Sequence, residues 1–124
     1  MLSPKQISKT VLIVEDEPEM CFLLELILNE ETTKLEHVRS LTAAKEFLRR
    51  ETPSVILLDN RLPDGYGIEF LTYLKLYYPD IKIILISGVD REVEDAAIAH
   101  GADIFMNKPF TRDELRSNIQ RLVN

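Results

Sequence analysis

The side chains best suited to chemistry in this 124-residue chain stand directly after short apolar runs. Glu15, Asp16 and Glu17 follow the run that ends at Val14, Asp59 follows Leu58, Ser87 follows Ile86, and Asn107, Lys108 and Pro109 follow Met106. Brought to one place, Glu15, Asp16 and Asp59 repel one another unless one carboxyl keeps its proton or a cation sits among them. Their donors are hard oxygens, with no histidine or cysteine in these segments, and such a set favours Mg2+. Lys108 adds a mobile positive charge and Ser87 a hydroxyl donor. A carboxylate flanked by a divalent cation, a lysine and a hydroxyl is arranged to receive a phosphoryl group, because metal and lysine neutralise the transferring oxygens while the carboxylate attacks in line. Each residue also has a plainer use: an acid after a strand caps a helix, and Lys-Pro or Ser-Gly makes a turn. The weight therefore rests on four strand ends that supply complementary groups.

Those groups need a scaffold that gathers strand ends. Short runs rich in Val and Ile at 10–14, 35–38, 55–58, 81–86 and 103–106 read as strands buried on both faces. Helical patterns lie between and after them at 18–30, 42–51, 67–77, 91–100 and 112–123. Pro18 suits a first helical turn, Gly101 a left-handed stop, and Thr111-Arg112-Asp113-Glu114 a capping box. Strands alternating with helices predict parallel βα units with right-handed crossovers. The expected fold is a doubly wound (βα)5 sandwich with a five-stranded parallel sheet in the order 2-1-3-4-5. In such a sheet ligands bind beyond the carboxyl ends of the strands, where the first and third strands are neighbours and bring Glu15, Asp16 and Asp59 together.

Composition narrows the classes. With 21 acidic and 15 basic residues the formal net charge is −6, which argues against the domain clamping nucleic acid through phosphate contacts. The composition, 45% hydrophobic and 29% charged, is that of a soluble globular domain, able to bury roughly two-thirds of its unfolded surface. No apolar run approaches the ~20 residues of a membrane span, and the first ten residues lack a secretory core segment. A single cysteine, Cys21, excludes an internal disulfide and fits a reducing, cytoplasmic setting. The expected division is an N-terminal extension over 1–9 and one domain over 10–124.

The segments VLIVEDEP, LLDNRLPDGYG, ISG and FMNKPF, in this order and spacing, resemble the receiver domain of two-component response regulators, of the CheY-like kind, over nearly the whole chain. The resemblance implies that Asp59 is the phosphoacceptor. It implies that Asp16 binds Mg2+ directly, Glu15 through water, and the Arg61 backbone carbonyl as a further ligand. By the same resemblance Lys108 pairs with the phosphoryl group, Ser87 is the switch hydroxyl and Phe105 the rotating aromatic. Glu15 stands where Asp is common, Ser87 replaces a frequent Thr, and Phe105 lacks the phenol of a frequent Tyr. The implied donor is the phosphohistidine of a sensor histidine kinase or a His-containing phosphotransfer domain. The chain is then a signal carrier rather than a metabolic enzyme. Whether it stands alone or is excised from a transcriptional regulator or hybrid histidine kinase stays open.

Two rival functions share the topology. A flavin-binding domain needs a Ser/Thr/Gly-rich phosphate loop after the first strand, where Glu15-Asp16-Glu17 stands. An aspartyl phosphatase needs a proton donor two residues after the nucleophile, where Arg61 stands.

Two surfaces are expected to carry the signal. Switching runs through Ser87 and Phe105 to the face of the fourth helix, fifth strand and fifth helix, unless Phe105 is core in both states. That face also suits a homodimer, with Glu92, Glu94 and Asp95 set against Arg112, Arg116 and Arg121. On the first helix, Met20, Leu23, Leu24 and Ile27 share the predicted core stripe, while Phe22 and Leu26, with Cys21 beside them, point outward as a docking surface for a partner helix.

Overall fold

The computed structural model describes residues 9–30, 32–88 and 91–123. Its elements are β1 (Lys9–Val14), α1 (Pro18–Leu28), β2 (Thr33–Val38), α2 (Leu41–Leu48), β3 (Val55–Asp59), β4 (Arg61–Leu62), β5 (Gly65–Tyr66), α3 (Gly67–Tyr77), β6 (Lys82–Ser87), α4 (Arg91–Ala99), β7 (Ile104–Asn107) and α5 (Arg112–Val123). Five parallel strands form one sheet in the order β2-β1-β3-β6-β7, and β4 and β5 pair separately as a small antiparallel hairpin. Because that hairpin takes two places in the count, this is the expected 2-1-3-4-5 order of the long strands. The hairpin itself was not expected, since two-residue strands leave no periodic signal.

The uninterrupted apolar runs follow from layers on both sides of the sheet. Val11, Ile13, Val55, Leu57, Ile84 and Ile86 face Leu24, Ile27, Leu28, Leu115 and Ile119 of α1 and α5. Their neighbours Leu12, Val14, Ile56, Leu58, Ile83 and Leu85 face Ala44, Phe47, Phe70, Leu71, Leu74 and Ala97 of α2, α3 and α4. Burial is complete along β3 and, past their first residues, along β1 and β6; β2, at one edge, is half-buried along its whole length. Lys9 already pairs with Thr33 in β1, so the sheet begins inside the expected extension, and residues 1–8 lie outside the described residues.

Helix ends obey local chemistry where the sequence provides it. Ser40 accepts a bond from Ala43 N–H at 3.1 Å to start α2, and Thr111 accepts one from Glu114 N–H at 3.1 Å to start α5. Gly101 follows α4 with φ +110°, where a Cβ would also lie 2.5 Å from Lys75 Cγ, so glycine is needed twice over.

The stripe predicted on α1 is rotated. Leu24 and Ile27 are buried as expected and Met20 is half-buried, but Leu23 is 43% exposed. Cys21, expected beside Phe22 and Leu26 on the outward face, is 6% exposed. It packs inward, its Sγ 3.4 Å from the Glu15 carbonyl and 2.8 Å from His37 Nε2, and so is not part of a docking surface. Phe22 (64%) and Leu26 (58%) do face outward.

Candidate functional site: an acidic centre at the strand ends

Each site residue is positioned by a backbone that continues the sheet pairing past the strands. Glu15 N–H donates to Val38 O at 3.1 Å, Asn60 N–H to Ile86 O at 3.0 Å, and Lys108 N–H to Ser87 O at 2.9 Å. These bonds bring Glu15, Asp16, Asp59, Ser87 and Lys108 to one edge. Glu15, Asp59 and Ser87 are buried, Asp16 is exposed, and the Lys108–Pro109 peptide is cis. A pocket of about 370 Å³ opens above them, lined by Glu17, Asp59, Asn60, Arg61, Ser87, Gly88 and Lys108. Arg61 itself is exposed at the rim, in β4.

Lys108 is the electrostatic hub. Its Nζ lies 2.9 Å from Asp59 Oδ1, 3.4 Å from Glu15 Oε1 and 3.8 Å from Glu17 Oε1. Burial alone would lower its pKa, but the Asp59 and Glu15 carboxylates raise it, so the ammonium stays charged. Burial pushes the Glu15 carboxyl up to about 7, helped by the charge of Asp59 and opposed by Glu17 N–H and Lys108. Asp59 is raised as well, by burial first, against the hold of Lys108 and with the Asp16 charge adding to it. One ammonium thus does not satisfy the carboxylates around it, and the centre favours further positive charge.

The donor set fits a hard cation. Glu15, Asp16 and Asp59 each offer a carboxylate oxygen, and these atoms lie within 4.8 Å of one another. Oxygen donors alone, one of them exposed to solvent, suit Mg2+, which keeps several of its waters. Cys21 and His37 lie nearby, but on the backbone carbonyl of Glu15 and not among the carboxylates.

Among the sequence-predicted residues, Phe105 is half-buried and packs against the α2–α3–α4 side of the core. Arg116, expected on the self-association face, is tied within the chain to Glu30 at 2.8 Å. Glu92 lies outside the described side chains. The sequence reading missed three residues that hold the site. Asn60 bonds the start of α3. Asp64 accepts from Leu41 N–H, Thr42 N–H and the Thr42 hydroxyl. His37 Nε2 lies 2.9 Å from the Glu15 carbonyl. Asn and Asp in a post-strand loop were the available signal for the first two; nothing local marks His37.

Comparison with known proteins agrees with this geometry. The model of the response regulator receiver domain matches residues 11–120. The probable transcriptional regulatory protein TcrX of Mycobacterium tuberculosis is 31% identical over 92% of this chain and 49% of its own length. The hydrogenase transcriptional regulatory protein HoxA of Cupriavidus necator is 36% identical over 98% of this chain and 25% of its own. The chain therefore spans half or less of the length of these relatives. The solution structure of the beryllofluoride-activated NtrC4 receiver domain dimer superposes with a TM-score of 0.87 at 31% identity, covering 92% of this chain and 95% of that one. No described helix is long and apolar enough to cross a membrane. By sequence, fold and the place of its acidic centre, the chain belongs to the family of response regulator receiver domains.

Proposed function

We propose that Asp59 accepts a phosphoryl group from a phosphohistidine donor in a Mg2+-dependent phosphorelay. The observation that carries this reading is a buried carboxylate at a strand end, held by an ammonium at 2.9 Å, grouped with two further acids and open to a pocket. Asp16, Asp59 and the Arg61 carbonyl would hold Mg2+ directly and Glu15 through water, and the ion would supply positive charge against the carboxylates and the incoming phosphoryl oxygens. Asp59 attacks phosphorus through a carboxylate oxygen. The new O–P bond replaces the P–N bond of phosphohistidine, or the P–O bond of a small acyl phosphate, and the leaving group takes the electron pair. Lys108 then exchanges its bond to Asp59 for one to a phosphoryl oxygen, and Ser87, at the pocket wall, donates to another. Water attack on the acyl phosphate returns the free carboxylate.

Downstream, the phosphoryl group draws Ser87 inward and Phe105 responds, altering the face of α4, β7 and α5. Beryllofluoride activation and dimerisation are stated for NtrC4, and a homodimer on phosphorylation is proposed here by that likeness. Control of transcription is likewise carried over from the relatives. A phosphohistidine-fed receiver of this kind works in the cytoplasm. Intact-mass measurement with acetyl phosphate and Mg2+ tests the reading. One adduct is expected, lost with EDTA and in Asp59→Asn, whose amide is neutral and a poor nucleophile. Sustained turnover would indicate an aspartyl phosphatase, and an adduct undiminished in Asp59→Asn would overturn the site.

A further inference from the structure

Helix α3 begins without a cap of its own: Tyr66, in the cap position, makes no side-chain cap bond. The first N–H groups of a helix are orphans that need acceptors. Here one residue, well upstream, supplies both. The Asn60 backbone carbonyl accepts from Gly67 N–H at 2.7 Å, and Asn60 Oδ1 accepts from Ile68 N–H at 3.0 Å. The N–H of Asn60 itself donates to Ile86 O at 3.0 Å, extending the β3–β6 pairing one step beyond Asp59. Asn60 is buried, so its amide oxygen is costly to leave unpaired.

These three bonds close a neck. The β4–β5 hairpin, which carries Arg61, leaves the sheet at Asn60 and returns at Gly67. The neck is tight enough that a Cβ on Gly67 would lie 2.5 Å from the Asp59 carbonyl oxygen. Asp59 and Arg61 are the two chain neighbours of Asn60. Any slackening at Asn60 thus reaches the carboxylate on one side and the hairpin backbone on the other.

We infer that the Asn60 carboxamide is a positioning residue for the acidic centre: by clamping α3 to the end of β3 it keeps Asp59 and the Arg61 backbone in register with Glu15 and Asp16. Its oxygen is committed to the Ile68 N–H, and it acts on the site through its neighbours. The inference rests on the reading of Asp59 as a Mg2+-assisted phosphoacceptor.

The test compares wild type with Asn60→Leu, of similar size but without an acceptor, and with Asn60→Asp, which keeps the acceptor at a helix start. Asn60→Ser, too short to reach Ile68, replaces the leucine variant if that does not fold. Ser54→Ala is the control: it removes the Oγ that accepts from Thr10 N–H at 3.3 Å, at the amino ends of the strands and opposite the site. Three readouts are taken: amide hydrogen exchange at Ile68 in the metal-free protein, Mg2+ affinity by amide chemical shifts, and the thermal midpoint. In Asn60→Leu, faster exchange at Ile68 and a roughly tenfold loss of Mg2+ affinity are expected, the scale of disturbing a group that orients a ligand. Asn60→Asp is expected to restore Ile68 protection and recover the affinity. Ser54→Ala is expected to lower the midpoint with Mg2+ affinity unchanged. Unaltered Mg2+ affinity in Asn60→Leu, or an equal loss in Ser54→Ala, overturns the positioning role alone. Wild type that neither binds Mg2+ nor gains the acetyl phosphate adduct overturns the reading of the site, and the inference with it.

Discussion

At the scale of single residues, the burial of Glu15 makes stability depend on pH in an unusual direction. Its carboxyl is raised from 4.5 to about 7 in the folded chain, so between these values the native state binds more protons than the unfolded one. Stability falls wherever the native state holds the extra proton and pH rises. The metal-free protein is therefore expected to be most stable below about pH 4.5 as far as this group is concerned, and to lose that contribution as pH climbs to about 7. Thermal melts across that window are expected to show a midpoint falling by on the order of 10 °C, with Mg2+ reversing the loss at the upper end; a midpoint that rises would contradict the burial argument. Cys21 gives a second prediction. Burial, with the Glu15 charge adding to it, pushes its thiol from 9.0 up to about 11, which reduces the reactive thiolate about 100-fold. Alkylation at pH 8 is expected to be at least that much slower in native protein than in urea. The strand-end chemistry of Asp59 and Lys108 was legible because each follows an apolar run. The inward turn of Cys21 was not, because residues 20–24 are all apolar or sulfur-bearing and a helical wheel cannot choose among them.

At the scale of elements, the loops between strands and helices are fixed by caps that reach across the fold. Asp64 stands at the tip of the β4–β5 hairpin yet accepts from Leu41 and Thr42 at the start of α2. Burial would raise its carboxyl, but those N–H groups and the Thr42 hydroxyl hold it below the usual range. Asp64→Ala is expected to cost about 1 kcal/mol, measured by urea unfolding at pH 7. The difference should vanish on acidification, since a lowered carboxyl contributes above its unfolded pKa and loses its contribution as pH falls through the folded one. Gly67→Ala is expected to cost roughly 1–3 kcal/mol and to shift the Asp59 amide resonance, because the new methyl meets the Asp59 carbonyl. The order of strands and helices was readable from periodicity. These caps were not, because they join residues far apart in the chain and obey no local period.

At the scale of the whole molecule, one edge of the sheet bears the chemistry while Phe22 and Leu26 of α1 stay uncovered. Proposed as the docking surface for a histidine-bearing helix, they should matter only for a protein donor. Phe22→Ala with Leu26→Ala is expected to slow transfer from the cognate donor at least tenfold, about 1.4 kcal/mol of lost contact, while the acetyl phosphate reaction is unchanged. Equal rates from both donors would remove the surface from the mechanism. The long reach of the Lys108 contacts has another consequence. Glu15 and Lys108 are 93 residues apart in the chain, and Asp59 and Lys108 are 49 apart. During synthesis Asp59 emerges well before the lysine that completes its surroundings, which arrives only with the end of β7. A copy cut between Asp59 and Lys108 thus carries the buried carboxylate without its ammonium, so the centre is assembled only once β7 has joined the sheet.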